Sequence, residues 1–339
     1  MDGYVGYLGP KRQNVEEEIE STHDPRGELA LRFTWSLPVL FSAMALLVMA
    51  RPAIADSPTN GPFTVKLNRP SHVGDTDTLR IRVSQERVTR VTQAEKTLQD
   101  EQSFREVSGT FRARVLQVSS DGKVLHERVQ ILSLAGRTAP GAKGTPLPLT
   151  GVALDVTLAP KVAIVRADGK SLDASVLPYL ELIFTPADSR IKKADDAIFG
   201  PGRPVRVGDT WPINTEKMAA QLSQKGDMQL LPKDMASQFL LSDHKMIGGI
   251  DCLVVHGTLD VNNLVLKTGS SPQQSFSGQM HVTFDTAVPV DAAKDVVASE
   301  GVTMEMTLSG KVPTPQGGEA DLTMSEKDAK EQTRLSGGT

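Results

Sequence analysis

Polar and apolar positions alternate with a period of two over several stretches, the pattern of a strand with one buried and one wet face. Leu79, Ile81 and Val83 fall on one side, with Arg80, Arg82 and Ser84 on the other. Val152, Leu154, Val156 and Leu158 alternate with Ala153, Asp155 and Thr157. Val302, Met304, Met306 and Leu308 alternate with Thr303, Glu305 and Thr307. These segments predict antiparallel strands. Turn signals stand at Asp121-Gly122, Asp168-Gly169 and Gly248-Gly249, where small residues supply the backbone freedom that hairpins need. Pro313 to Gly318 predicts a looser connection to a polar last strand carrying Leu322 and Met324. That strand is expected at a sheet edge, where Lys327, Asp328 and Lys330 would discourage pairing with other chains.

Helical signals are few. Asp173 to Phe184 places Val176, Leu177, Leu180 and Ile183 at helical spacing, with Asp173 as a candidate N-cap and Pro178 as a disturbance. Thr215 to Lys225 has an Asn214/Thr215 cap, Met218 and Leu222 four apart, and Gly226 as a stop. Both are expected to lie across a sheet face. Gly136 to Pro148 is rich in Gly and Pro, has no hydrophobic period and predicts a flexible loop. The fold class is therefore mainly β with a few helices: curved antiparallel sheets or an incomplete β-barrel.

One string occurs twice. Arg69-Pro70-Ser71-His72-Val73-Gly74-Asp75-Thr76 and Arg203-Pro204-Val205-Arg206-Val207-Gly208-Asp209-Thr210 share RPxxVGDT. Chemically it leads into a strand: Pro holds the chain extended, Val packs, Gly-Asp turns and Thr begins the strand. Two copies suggest related halves, 56–195 and 196–339, behind a leader of residues 1–55. Separate use of the same common turn is the alternative. An anion-binding role for the Gly-Asp turn lacks a following helix N-terminus or basic cluster.

The leader carries the longest apolar run, Phe33 to Ala50, followed by Ala53-Ile54-Ala55, a small-x-small site. A secretory signal cleaved after Ala55 is the expectation, with an uncleaved membrane anchor as the alternative. Residues 1–32 are unusually long and acidic for such a leader, so translation is expected to start downstream of Met1. A lipoprotein signal would need a cysteine after the run, and the single cysteine is Cys252. Of 37 basic and 41 acidic residues, the leader takes 5 and 7, leaving 32 and 34, a net charge of −2. That balance offers no footprint for nucleic acid. Membrane contact is expected only through an uncleaved leader. One cysteine cannot close an internal disulfide, so the chain must rest on its apolar core, with Cys252 as a buried strand residue.

Candidate chemistry is sparse. The histidines are His23, His72, His126, His244, His256 and His281, with no i, i+4 pair. His244 and His256 flank the Gly248-Gly249 turn and could meet across it, with Asp243 or Asp260 nearby. Ser242-Asp243-His244 holds triad residue types in adjacent positions, where no relay can form. Asp195-Asp196 and Glu181 could supply paired carboxylates, but few aromatic residues remain to hold a sugar. No catalytic, cofactor-binding or metal-ligating residue is assigned.

Val162 to Val165, Leu177 to Phe184 and Phe199 to Trp211 with its Val207-Gly208-Asp209-Thr210-Trp211 string resemble a family of secreted bacterial β-rich proteins with a P-V-x-V-G-D-T-W motif. The resemblance spans about 150–310 and implies architecture and export, with no activity attached. The topology is also similar to incomplete-barrel lipid and lipoprotein carriers of the LolA/LppX type, an analogy without a shared motif. The expectation is an exported, non-enzymatic binding or envelope protein holding an apolar ligand or a partner's segment. Met280, Met304 and Met306 would suit varied apolar ligands, or simply fill a core. The alternatives are an extracytoplasmic hydrolase using carboxylates or His244/His256, and a surface structural or interaction module.

Overall fold

The computed structural model describes residues 61–67, 70–120, 122–158, 162–184, 196–223, 228–267, 275–292, 297–314 and 317–336. The expected leader, with its apolar run and cleavage site, lies outside them. Among the described residues no helix is long and apolar enough to cross a membrane.

The strands are β1 (Thr76–Gln93), β2 (Lys96–Val118), β3 (Val124–Arg137), β4 (Thr145–Pro146), β5 (Ala153–Thr157), β6 (Ala163–Arg166), β7 (Thr210–Trp211), β8 (Met228–Gln229), β9 (Met235–Ile247), β10 (Ile250–Lys267), β11 (Ser275–Pro289), β12 (Ser299–Pro313) and β13 (Glu319–Ser336). All 13 join one antiparallel sheet in the order β6-β5-β3-β2-β1-β13-β12-β11-β10-β9-β7, with β4 on β3 and β8 on β10. The sheet is open, not a closed barrel, because its end strands β6 and β7 do not pair with each other. Among the described residues three short α-helices accompany it: α1 (Leu177–Ile183), α2 (Asp196–Phe199) and α3 (Thr215–Leu222).

Two meanders make up the sheet. β1 through β6 run outward from the centre, and β7 through β13 run inward from the far end, so both are laid down in the same direction. They meet where β1 pairs with β13, from Thr78↔Ser336 to Thr92↔Asp321. The last strand is therefore central, not an edge. Its neighbours β1 and β12 satisfy its backbone on both sides, so Lys327, Asp328 and Lys330 cannot act as edge guards.

Most expected turns form. Gly248 and Gly249 both take positive φ, 58° and 86°, and close the β9–β10 hairpin. Gly122, at φ 76°, closes β2–β3. Gly169 turns the chain after β6, but no strand follows, and the chain goes on to α1. The β1–β2 hairpin turns on Ala94 and Glu95, at φ 47° and 66°. A left-handed pair without Gly or Asn carries no turn signal in the sequence. Gly136, expected in a loop, belongs to β3, and Thr145–Pro146 pairs beside it. The Tyr179 ring of α1 lies where a Cβ on Gly136 would stand, 2.6 Å away, so packing sets this glycine.

α1 is shorter than its pattern. Pro178 occupies the first turn, where the missing N–H costs nothing. Asp173 caps no helix; its carboxylate accepts the Ser175 N–H at 2.8 Å in a turn just before it. Asn214 does cap α3, its Oδ1 accepting the Lys217 N–H at 3.0 Å. On one sheet face Val176, Leu180 and Ile183 join Ile81, Val83, Val107, Phe111 and Ile131 in the core of the first meander. Over the second, Phe199, Trp211, Phe239 and Phe284 cluster with ring centroids 5.5–6.1 Å apart. The indole N–H of Trp211 donates to the Phe199 carbonyl at 2.8 Å. Cys252 is fully buried in β10.

The Val-Gly-Asp-Thr turns of the two copies fold alike. In the first, Gly74 takes φ 95°, the Asp75 N–H donates to the His72 carbonyl at 3.1 Å, and Asp75 Oδ2 accepts the His72 N–H at 2.9 Å. In the second, Gly208 takes φ 94°, and the Asp209–Arg206 contacts are both 2.9 Å. Each turn then exchanges two backbone bonds with the adjoining long strand: Gly74 and Asp75 with Val115, Gly208 and Asp209 with Leu241. The expectation that the motif valine packs is corrected. Val73 is 65% exposed and Val207 43%, since each sits at the outward corner of its turn. Gly74→Ala and Gly208→Ala are each expected to lower stability by about 1–2 kcal/mol, and Val73→Ser by under about 0.5 kcal/mol. Urea unfolding measures all three.

Candidate functional site

The ladder registers carry side chains in continuous rows across one face, here called inner because α1 and the aromatic cluster lie on it. One row runs Val107, Val83, Lys330, Val302, Phe284, Gly257, Phe239 from β2 to β9. Gly257 leaves room for the Phe239 ring, which a Cβ would meet at 2.6 Å. The next row runs Arg105, Gln85, Asp328, Met304, Val282, Leu259, Ser237. A third runs Ser103, Arg87, Glu326, Met306, Met280, Val261, Met235. Between β10 and β12 these rows are apolar and, apart from the half-buried Phe284, buried, the three methionines included. At the β1–β13 junction they become charged while staying buried.

That junction is the candidate site. Glu326 is 2% exposed and Asp328 6%, and Lys330 is also buried. Glu326 Oε1 accepts from Arg87 Nη2 at 2.8 Å and from Gln85 Nε2 at 2.9 Å. Gln85 also hydrogen-bonds Asp328. Glu326 Oε2 and Asp328 Oδ1 are buried without a hydrogen-bond partner. Removal from water, reinforced by the Glu326 charge, pushes the Asp328 carboxyl up to about 8, against the opposing pull of Gln85 and Arg87. Asp328 thus keeps its proton at neutral pH. Buried ion clusters seldom stabilise a fold better than well-packed apolar residues would, which makes this one a candidate for a role other than stability. Chemically it can hold a proton on Asp328 and accept a hydrogen bond from a donor brought to the face.

Opposite, on the outer face, lies ordinary surface chemistry. Glu86, Lys327, Glu305, His281 and Asp260 form a row of mostly alternating charge across five strands. The Lys327 ammonium holds the Glu305 carboxyl below its usual range. Such exposed pairs contribute about 0–1 kcal/mol each. Glu106 is tighter: burial raises its carboxyl, but hydrogen bonds from Arg82 and Arg137 outweigh that and hold it low.

His244 and His256 do not meet. His244 stands opposite Leu253 on the inner face, its Nε2 2.8 Å from Asp251 Oδ1 and its ring edge-on to Phe63. His256 points to the other face, paired with Asp285. Alternation along β10 separates them, whatever the hairpin between. Ser242 donates to the Val254 carbonyl, not to His244. Asp196 accepts the Leu67 N–H at 2.7 Å and pairs with Lys66, while Asp195 lies outside the described residues. No three His, Cys, Asp or Glu side chains among the described residues converge as a metal site. Glu326 was not readable as a site residue. Its one signal was a charge at every position of 326–328 in a strand that otherwise alternates.

No family model matches the chain, and no curated protein matches it. Solved structures give distant likenesses. A structure of lipid–protein interactions in lipovitellin is 9% identical, with a TM-score of 0.25, over 78% of this chain, which spans only 26% of that one. DynF from the dynemicin biosynthesis pathway of Micromonospora chersina is 10% identical, with a TM-score of 0.19, over 83% of this chain and 92% of its own. OpdQ of Pseudomonas aeruginosa is 8% identical, with a TM-score of 0.18, over 77% and 98%. At these scores none bears on what this chain binds.

Stability should depend on pH through Asp328. With its carboxyl near 8 in the fold and about 3.9 unfolded, the unfolded chain gives up this proton first as pH rises. Stability from this group is full below about pH 4, falls steadily to about pH 8, then levels. Asp328→Asn removes the titration. Its melting temperature is expected to gain on the wild type by about 5 °C between pH 5 and pH 9. Parallel melting curves would contradict the assignment.

Proposed function

We propose that this chain is an exported, non-enzymatic binding protein that holds an apolar or amphipathic ligand against the inner face of its sheet. One observation carries the reading: the continuous apolar rows across β10–β12, with Met280, Met304 and Met306 at their centre, ending against a buried polar cluster. On that face α1 packs on β1 and β2, α3 on β8, and Phe199 of α2 against Phe284 of β11. Thioether side chains between them adapt to varied apolar shapes, and the junction supplies polar contacts for a ligand's head. Export is supported by the apolar run 33–50 with its small-x-small site, and by the motif likeness to secreted β-rich proteins. A binding role in place of catalysis is supported by the separation of His244 from His256 onto opposite faces.

The test is direct. The full-length gene is expressed in a bacterium, the processed product is purified, and bound material is extracted with organic solvent for mass spectrometry. Co-purifying lipid is expected, together with saturable uptake of a fluorescent fatty acid that Met306→Gln weakens about tenfold, a loss of about 1.4 kcal/mol. Absence of both lipid and uptake would end the proposal.

A further inference from the structure

Within a meander a short turn sets how two strands align, as Ala94 and Glu95 do for β1 against β2. No turn does this for β1 against β13, whose contacting residues Gln85 and Glu326 are 241 positions apart. Side chains must select that register. Alternation excludes a slip of one residue but not a slip of two, which keeps every side chain on its own face. Apolar residues resist such a slip weakly: Val91, opposite Leu322, would face Met324 after a shift one way and Ala320 after a shift the other. On the outer face Lys327, opposite Glu86, is exposed, and a charge pair there discriminates little. Arg334 reaches Asp77 at 2.7 Å, but across the bulge between Thr78 and Leu79, where the ladder already accommodates a shift.

The buried polar contacts do discriminate. Arg87 faces Glu326 and donates to it at 2.8 Å, while Gln85 faces Asp328 and hydrogen-bonds both carboxyls. Shifted one way, Arg87 would face Met324 and Asp328 would face Val83; shifted the other, Glu326 would face Thr89. Either shift takes a buried carboxyl from the donor set opposite it, a larger penalty than the apolar exchange beside it. We propose that Gln85 and Arg87 on β1, with Glu326 and Asp328 on β13, form a register key that selects how the two meanders join. Apolar residues at these four positions would hold the strands together comparably, since a buried ion pair is costly to desolvate, but would accept more than one alignment. The key acts whether or not the inner face holds a ligand.

Cross-linking after refolding tests it. Full-length chains carrying Ser84→Cys with Ala329→Cys report the observed register, and those carrying Ser84→Cys with Lys327→Cys or Glu331→Cys report the two shifts of two residues. Each chain is refolded from urea under reducing conditions and oxidised, and its disulfides are mapped by mass spectrometry. With the key intact, the shifted pairs are expected at about one-tenth of the in-register yield or less. Arg87→Met/Glu326→Met and, independently, Gln85→Leu/Arg87→Met/Glu326→Met/Asp328→Leu should each raise the shifted yields about tenfold. Lys330 is left in place throughout, and the register is read in whichever variant folds. Shifted pairs that stay rare in the folded variants would overturn the key. So would loss of the fold in both, since the cluster would then hold the strands by strength instead of selecting their alignment.

Discussion

A single register, that of β1 against β13, sets which side chains share the inner face of the whole sheet. Because a strand shows its two faces alternately, slipping this ladder by one residue would turn Arg80 and Arg82 into the core of the first meander and Ile81 and Val83 outward. The residues that must find each other are far apart in sequence: Gln85 and Glu326, in contact across the junction, are separated by 241 positions. Closing so long a loop is costly before any contact repays it, so the meanders must supply much of their own stability. α1 over the first and the aromatic cluster over the second are placed to do so. Their separate cores explain how a central strand can tolerate charge.

Repetition underlies the plan. Both RPxxVGDT copies build the same turn, with the same carboxylate-to-amide bond and the same two bonds to the neighbouring strand, and each begins a meander laid down in the same direction. The conserved geometry rests on glycine at positive φ and aspartate closing the turn, whereas the valine between points outward at both sites. Phe63, bridged to Val205, ties residues 61–67 to the segment that leads into the second meander. That contact has no counterpart in the first, where Ser71 instead donates to Gly122. The repeat is thus clear in the turns and lost in what surrounds them.

Alternation made much of the fold legible. Where one face was apolar and the other polar, as in 79–84 and 302–308, strand and facing followed directly from residue type. The failures share a cause: environments that residue type alone does not reveal. β13 reads as an edge because its charges look like solvent-facing ones, yet Glu326, Asp328 and Lys330 point inward and Lys327 outward. Ala94 and Glu95 adopt a left-handed turn because two long strands force the chain back there, not through any preference of their own. His244 and His256 looked like partners because the hairpin brings their strands together, while parity along the strands keeps them apart. The candidate site lay in the one stretch where local pattern and tertiary context disagree, which is where function is often found.

The account therefore stands on the pairing of the first and last long strands in the stated register. Ser84 and Ala329 are directly opposed across that ladder, on the outer face. Oxidising a Ser84→Cys/Ala329→Cys variant is expected to give an intramolecular disulfide in nearly every molecule, while Ser84→Cys/Asp328→Cys, one residue out of step, gives little, since its side chains leave opposite faces. Equal cross-linking of the two variants, or none in the first, would contradict the sheet described here.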